Sequence, residues 1–195
     1  MKKVFAFIVF LFVFGLCFGQ SFGGGYKNTK WGMSEKQVKK ILEKDGWKLL
    51  EKNNDMEYDE GVKVGVHVFY DENGKGLSCL FYQKQLCSVI YTPFAYNNQS
   101  NKEVKVLILN ELKQKYGETE ESESKNGEYI SNKWNDSETE IVCDISKHNN
   151  KRTQPDESVE ITYKSIFITK NLLSEVAKRK SQQKEKLNKN TLEGL

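Results

Sequence analysis

Apolar positions in this chain follow two rhythms. Between Val62 and Tyr70 they recur on every second residue (Val62, Val64, Val66, Val68, Tyr70), with Lys63, Gly65, His67 and Phe69 in the alternate places. A period of two predicts a β-strand, with each set of residues on its own sheet face. Upstream the rhythm is helical: Val38, Ile41 and Leu42 fall at i, i+3 and i+4. Ser34 with Gln37 three residues later forms a capping box, and Met33 and Val38 stand where a hydrophobic staple would close. Asp45-Gly46 supplies the stop, because glycine takes the left-handed conformation after a C-cap without steric cost. The stretch Trp31-Gly32-Met33-Ser34-Glu35-Lys36-Gln37-Val38 therefore predicts a helix entry and needs no chemistry to explain it.

The same grammar returns in the second half. Ser100-Asn101-Lys102-Glu103 is a second capping box, Val104, Leu107, Ile108, Leu112 and Tyr116 form the stripe, and Gly117 ends it. Strand patterns follow each helix: Leu77–Tyr82 corresponds to Ile141–Ser146, and Val89–Tyr91 to Ile161–Tyr163. Asp71–Gly76 and the tighter Gln83-Lys84-Gln85 read as turns. The expected architecture is α+β: two tandem units, each a helix followed by an antiparallel sheet of about three strands. The first spans residues 30–97 and the second 98–168, with a basic C-terminal helix or tail over 169–195. Glu118–Gly127 and Lys147–Ser158 read as polar loops, and long loops on a packed scaffold are where binding tends to be located.

The N-terminus changes the compartment. Lys2 and Lys3 precede an apolar run from Val4 to Leu16, and Cys17-Phe18-Gly19 offers small residues for cleavage. This is the pattern of a signal peptide over residues 1–19, cleaved after Gly19, with a flexible linker over 20–29. The run is shorter than the ~20 residues a membrane-spanning helix needs, so no stable transmembrane span is expected. Leu16 occupies the place a lipobox reserves for a small residue, which argues against lipid anchoring on Cys17. A periplasmic or secreted protein is expected.

Charge then narrows the partners. Without Lys2 and Lys3 the chain holds 28 basic and 27 acidic residues. Seven of the basic residues lie between Lys170 and Leu195 against Glu175, Glu185 and Glu193, so a basic tail follows an acidic body. A nucleic-acid-binding domain concentrates positive charge on a folded face instead, so no nucleic-acid partner is expected. Cys79, Cys87 and Cys143 survive cleavage without a Cys-x-x-Cys spacing, which disfavours zinc and thioredoxin-like chemistry and leaves any disulfide pairing open.

Candidate chemistry is sparse. His67 and His148 are the only histidines, and neither has a His-x-x-x-His or Glu-x-x-His spacing. Asp71–Gly76 imitates the start of a calcium loop, but Lys75 takes the fifth position and Tyr82 the twelfth, where a bidentate Glu is required. Gly23-Gly24-Gly25 lacks the preceding strand of a phosphate-binding loop. No catalytic residue, metal ligand or cofactor is assigned. The binding candidates are Tyr91, Phe94 and Tyr96, closely spaced aromatics at the end of a strand, suited to protein recognition if they stand exposed.

Trp-Gly-Met-Ser-x-x-x-Val opening a helix ahead of a strand meander resembles the small envelope domain of the SmpA/OmlA (BamE) lipoproteins. The tandem layout is similar to the secreted β-lactamase inhibitor proteins. Uncharacterised exported bacterial proteins share Trp-Gly-x-Ser, a Lys-Tyr-Gly helix end and a late Val-x-Ile-x-Tyr strand, here Lys115-Tyr116-Gly117 and Val159–Tyr163, with Trp134 in the place that pattern puts it. The likeness covers roughly residues 30 to 168 and implies fold and compartment more than activity. The function expected is an exported, non-enzymatic module that binds a protein partner in the cell envelope or outside the cell. The alternative is a small-ligand-binding protein or hydrolase whose Asp55, Glu57, Asp59 and Glu60 line a cleft.

Overall fold

A computed structural model describes residues 23–93, 101–124, 129–148 and 156–193. In chain order the elements are α1 (Glu35–Lys44), β1 (Lys48–Asp59), β2 (Val62–Tyr70), β3 (Gly76–Tyr82), β4 (Gln85–Thr92), α2 (Asn101–Tyr116), β5 (Glu120–Glu123), β6 (Tyr129–Asn135), β7 (Thr139–His148), β8 (Asp156–Ser165) and α3 (Ile166–Glu193). All eight strands join one antiparallel sheet in the order β1-β2-β3-β4-β8-β7-β6-β5.

This corrects the expectation of two units with a three-stranded sheet each. The last strands of the two halves, β4 and β8, pair from Ser88↔Lys164 to Tyr91↔Ile161 and fuse the halves into a single sheet. The Ser88 hydroxyl reinforces that seam by donating to the Tyr163 carbonyl at 3.1 Å. Each half also contributes a fourth strand, β1 or β5, at an outer edge. Both edges are polar: β1 is exposed along nearly its whole length, and β5 lies in the acidic stretch expected to be loop. Edge strands bury little, so they lack the apolar alternation that reveals central strands, and their charges discourage pairing with other chains.

One sheet face carries Phe69, Leu77, Cys79, Phe81 and Val89, packed on Val38 and Leu42 of α1. Farther along the same face, Trp134, Ile141, Cys143, Ile145, Val159 and Ile161 pack on Leu112, Ile108, Leu109 and Tyr116 of α2. Tyr91 and Tyr163 belong to both packings and make them one continuous core. The expected α2 stripe is shifted: Leu109 packs inward, whereas Leu107 is 60% exposed. Helical periodicity finds a stripe but does not choose among adjacent apolar residues when the helix has almost no polar contrast.

The opposite face is covered over β2–β4 by α3. Ile168, Leu172 and Val176 pack on Val62, Val64, Tyr82 and Cys87. The Ser165 hydroxyl accepts from the Ile168 amide at 3.3 Å and caps the helix. At the far side Arg179 donates to the Gly61 carbonyl at 2.6 Å and to Glu175 at 2.7 Å, and Tyr82 hydrogen-bonds Glu175. The basic tail is thus a docked helix in its first half, with exposed residues from Ser181 to Lys189. Among the described residues no helix is long and apolar enough to cross a membrane.

Residues 23–29, the described part of the expected flexible linker, fold against the sheet. Tyr26 is buried between the rings of Tyr91 and Tyr163, at centroid distances of 6.4 and 5.0 Å. Gly25 permits this turn: a Cβ there would lie 2.0 Å from the Thr29 carbonyl oxygen. The next segment ties the halves together. Gly32 donates to the Leu86 carbonyl at 3.0 Å, Leu86 donates to that of Met33 at 2.8 Å, and the Trp31 indole donates to the buried Thr139 hydroxyl at 2.8 Å. Trp-Gly-Met-Ser is therefore a clasp between β4 and β7 as well as a helix entry.

Among the described residues Cys79, Cys87 and Cys143 are buried free thiols. Cys79 sits in the α1 core, Cys87 in the α3 core and Cys143 in the α2 core, so no two share a packing cluster. Burial pushes their thiols up, to about 12, 11 and 12 respectively. Thiolate is the reactive form, so these side chains are expected to resist a maleimide reagent at about pH 8 and to react together once the chain is unfolded in denaturant. Rapid labelling of any one of them in the native protein, followed by mass spectrometry, would contradict that burial.

Candidate binding cleft at the start of α1

Along β2 the face turned toward α1 grades from solvent to core: Lys63 exposed, Gly65 and His67 buried, Phe69 completely enclosed. The outer half of this gradient forms the floor and one wall of a cleft of about 490 Å3, lined by Ser34, Glu35, Lys36, Asn54, Asp55, Lys63, Gly65, Phe81, Gln83 and Lys84.

Three local departures from regular structure shape it. The capping box opens α1 beside the cleft, Gln37 Oε1 accepting from the Ser34 amide at 3.0 Å and its hydroxyl at 2.8 Å. The β1–β2 ladder skips between Asn53↔Val66 and Met56↔Val64, so Asn54 and Asp55 together oppose Gly65 in a bulge. A bulge re-aims side chains, and here it turns two polar residues into the cleft. Gln83 and Lys84 close the β3–β4 hairpin with φ of 50° and 64°, a left-handed pair that usually calls for Asn-Gly.

Gly65 makes room for the Glu35 side chain at the floor. A Cβ at this position would stand 3.3 Å from Glu35 Oε1 and 3.4 Å from the Phe81 Cβ. The Glu35 carboxylate fills that space and is committed on its inner side, with Oε2 3.0 Å from Lys52 Nζ and 3.3 Å from His67 Nε2. His67 is 2% exposed, its ring 4.9 Å from that of Phe81, and neither nitrogen makes a well-aligned hydrogen bond. Burial lowers its pKa; Glu35 opposes that shift, and Lys52 and Lys39 add to it. The imidazole is accordingly neutral near pH 7 and separated from the cleft by Glu35.

A neutral buried histidine has a consequence for stability. The unfolded chain protonates His67 near its ordinary 6.5, whereas the folded chain resists protonation until a lower pH. The contribution is complete above 6.5 and is lost as pH falls toward the depressed folded value. Urea unfolding between about pH 7.5 and 5.5 should therefore show stability falling with pH, and a His67→Phe variant should lose that part of the slope. An unchanged slope in the variant would show that other groups set it.

Lys36, Lys63 and Lys84 line the cleft together with Asp55. Among the described residues none of them forms an ion pair, while Lys52 is held by Glu35 and Lys39 by Glu43. The carboxylates named as a cleft set do not converge. Asp55 lines the cleft, Glu57 accepts from the Gly61 amide at 3.2 Å, and Asp59 and Glu60 lie 3.0 and 3.9 Å from Lys180 on α3.

The aromatic candidates also separate. Tyr91 is half-buried, facing inward against Tyr26 and the Trp47 ring at 6.3 Å, and Phe94 and Tyr96 lie outside the described residues. His148 ends β7, and its side chain is not described. The calcium-loop imitation is a turn whose acceptor is used internally: Asp71 Oδ1 takes the amides of Asn73 and Lys75 at 2.9 and 2.8 Å. Among the described residues no group of three or more His, Cys, Asp and Glu side chains is arranged to hold a metal ion.

On the sheet face opposite α2, Lys133 and Lys164 both bind Glu140, and Ser131 donates to Asp144 at 2.7 Å. Burial pushes Glu140 up, but the hydrogen bonds from the two lysines outweigh it and hold the carboxyl below its ordinary value. These groups satisfy one another, whereas the cleft's lysines do not. Sequence reasoning missed the cleft because its parts come from four separate elements. The one local signal was Gly65, a glycine inside an otherwise alternating strand, which marks a bulge or a close approach.

Comparison with protein-family models, with curated proteins and with solved structures finds no match.

Proposed function

We propose that this protein is an exported module that holds a protein partner in the cell envelope or outside the cell and performs no chemistry of its own. One observation carries the reading. The polar side chains that reach solvent in the cleft (Lys36, Asn54, Asp55, Lys63, Gln83, Lys84) are binding groups on a framework anchored by β2 and α1, and the imidazole nearest to them is sealed behind Glu35. Binding sites built on strands and helices hold their geometry, and preorganised charges favour specificity and encounter rate. Export rests on the charged and apolar pattern of residues 1–19, and the resemblance of Trp31–Val38 to envelope domains agrees with it.

The test is a photocrosslinking residue placed at Lys63 in the native cell, with Gln182 on the exposed part of α3 as the control position. A discrete protein adduct from position 63 and none from 182, on a chain starting at Gln20, is the expected result. Equal or absent crosslinking from both positions would remove the cleft from the partner interface.

A second reading, a small-ligand site or hydrolase, draws on Glu35 and Asp55 lining one cleft. Glu35 is committed to Lys52 and His67, which leaves Asp55 as the acid available for proton transfer. On that reading Asp55→Asn would abolish turnover in a screen of hydrolase substrates.

A further inference from the structure

The three unpaired lysines stand on three different elements: Lys36 in the first turn of α1, Lys63 on β2 and Lys84 in the β3–β4 turn. They line the cleft from these separate elements, and no arginine is among its lining residues. A compact dianion such as phosphate is best held by convergent donors or a bidentate fork. Single ammonium groups carried on different elements suit several single negative charges spaced along a chain. The side-chain amides of Asn54 and Gln83 add donors and acceptors of the kind that pair with peptide groups.

The local backbone supports a recognition role independently of charge. Gln83 and Lys84 both occupy the left-handed region, where each non-glycine residue is disfavoured, and the turn thereby presents Lys84 at the cleft mouth. The Asn54-Asp55 bulge lines the cleft as well, and the missing side chain at Gly65 makes room for the Glu35 carboxylate. Among the described residues Asp55 is the cleft carboxylate that forms no ion pair, and it sets a repulsive element against an over-dense anion.

We propose that the cleft between α1, the β1 bulge and the β3–β4 turn binds an acidic peptide segment of a protein partner, with Lys36, Lys63 and Lys84 as its charge contacts. This rests on the binding-module reading above and specifies the chemistry of what is bound.

The test uses the full mature chain and a fluorescein-labelled peptide of alternating glutamate and glycine, followed by fluorescence anisotropy at low and moderate salt. Exposed ion pairs are individually weak, so removing all three lysines as Lys36→Gln, Lys63→Gln and Lys84→Gln is expected to weaken binding at least about tenfold. Lys178→Gln, Lys184→Gln and Lys186→Gln in α3 should leave binding unchanged, which separates the cleft from the basic helix. Asp55→Asn should tighten binding about threefold, a gain that misfolding does not imitate. Equal weakening by the α3 variant, or no weakening by the cleft variant, would overturn the proposal. Tighter competition by inorganic pyrophosphate or by phosphatidylglycerol vesicles than by unlabelled peptide would assign the site to phosphate instead. If acidic peptides do not bind while the crosslink from position 63 still captures a protein, this inference fails and the binding-module reading stands; if both fail, both fall.

Discussion

Phe81→Ala is expected to remove about 3–5 kcal/mol of stability and to abolish the cleft at the same time. The ring is fully enclosed in the core with Val38, Leu42, Phe69 and Leu86, and the residue underlies the cleft with its Cβ beside Gly65. Its deletion leaves a void under α1 that the neighbouring strands cannot close, because β3 is held by β2 on one side and β4 on the other. The lost contacts with the His67 ring would also release Glu35 from its position over Gly65. A chemical denaturation midpoint together with peptide anisotropy reads both effects. Retained peptide affinity in a destabilised but folded variant would show that the floor contributes nothing to recognition.

Trp134→Ala is expected to be as damaging in the other half, for a partly different reason. Trp134 is buried among Ile141, Cys143 and Leu112, and its indole donates to the Gly117 carbonyl at 2.9 Å, just past the end of α2. Alanine removes the packing, worth about 3–5 kcal/mol, and takes from that helix terminus its indole donor. Trp134→Phe separates the terms: it keeps most of the packing and loses the hydrogen bond, at a cost of about 1–3 kcal/mol. Because β4 and β8 make one sheet, Trp134→Ala and Phe81→Ala should both displace the same unfolding transition, observed identically by far-ultraviolet circular dichroism and by tryptophan fluorescence. Two separated transitions in either variant would mean that the halves unfold independently despite the shared seam.

The continuity of the sheet was the feature least visible in the chain. Val62–Tyr70 declared itself through strict alternation, and α1 through its capping box and apolar stripe, because each signal is carried by residues within a few positions of one another. β1 did not, since an exposed edge strand of Lys48, Glu51, Lys52, Asp55, Glu57 and Asp59 has no reason to alternate. β5 stayed hidden in an acidic run for the same reason. The α2 stripe was legible only in part: Ile108, Leu112 and Tyr116 pack inward as expected, but Leu109 rather than Leu107 completes the face.

The cleft divides in the same way. Its Lys63 and Gly65, with His67 behind them, could be assigned to one sheet face from spacing alone. That Glu35 would lie over Gly65 with Lys52 and His67 behind it depends on how α1 docks. No pattern within ten residues contains that information. Tyr91 illustrates the opposite outcome, an aromatic at a strand end that looks available in sequence and is half-buried between the two parts of the core.

By itself, the sequence determined the α+β class, the helix entries at Ser34 and after Ser100, the central strands and the segregation of basic residues into the last element. These follow from backbone geometry, capping and side-chain period, which act over one or two turns of chain. Only the tertiary structure decided that eight strands make one sheet, that Trp31 clasps β7 across 108 residues of sequence, and that three lysines from separate elements line one cleft. Strand partners and helix docking are chosen by burial of area summed over the whole chain, and that sum has no local signature.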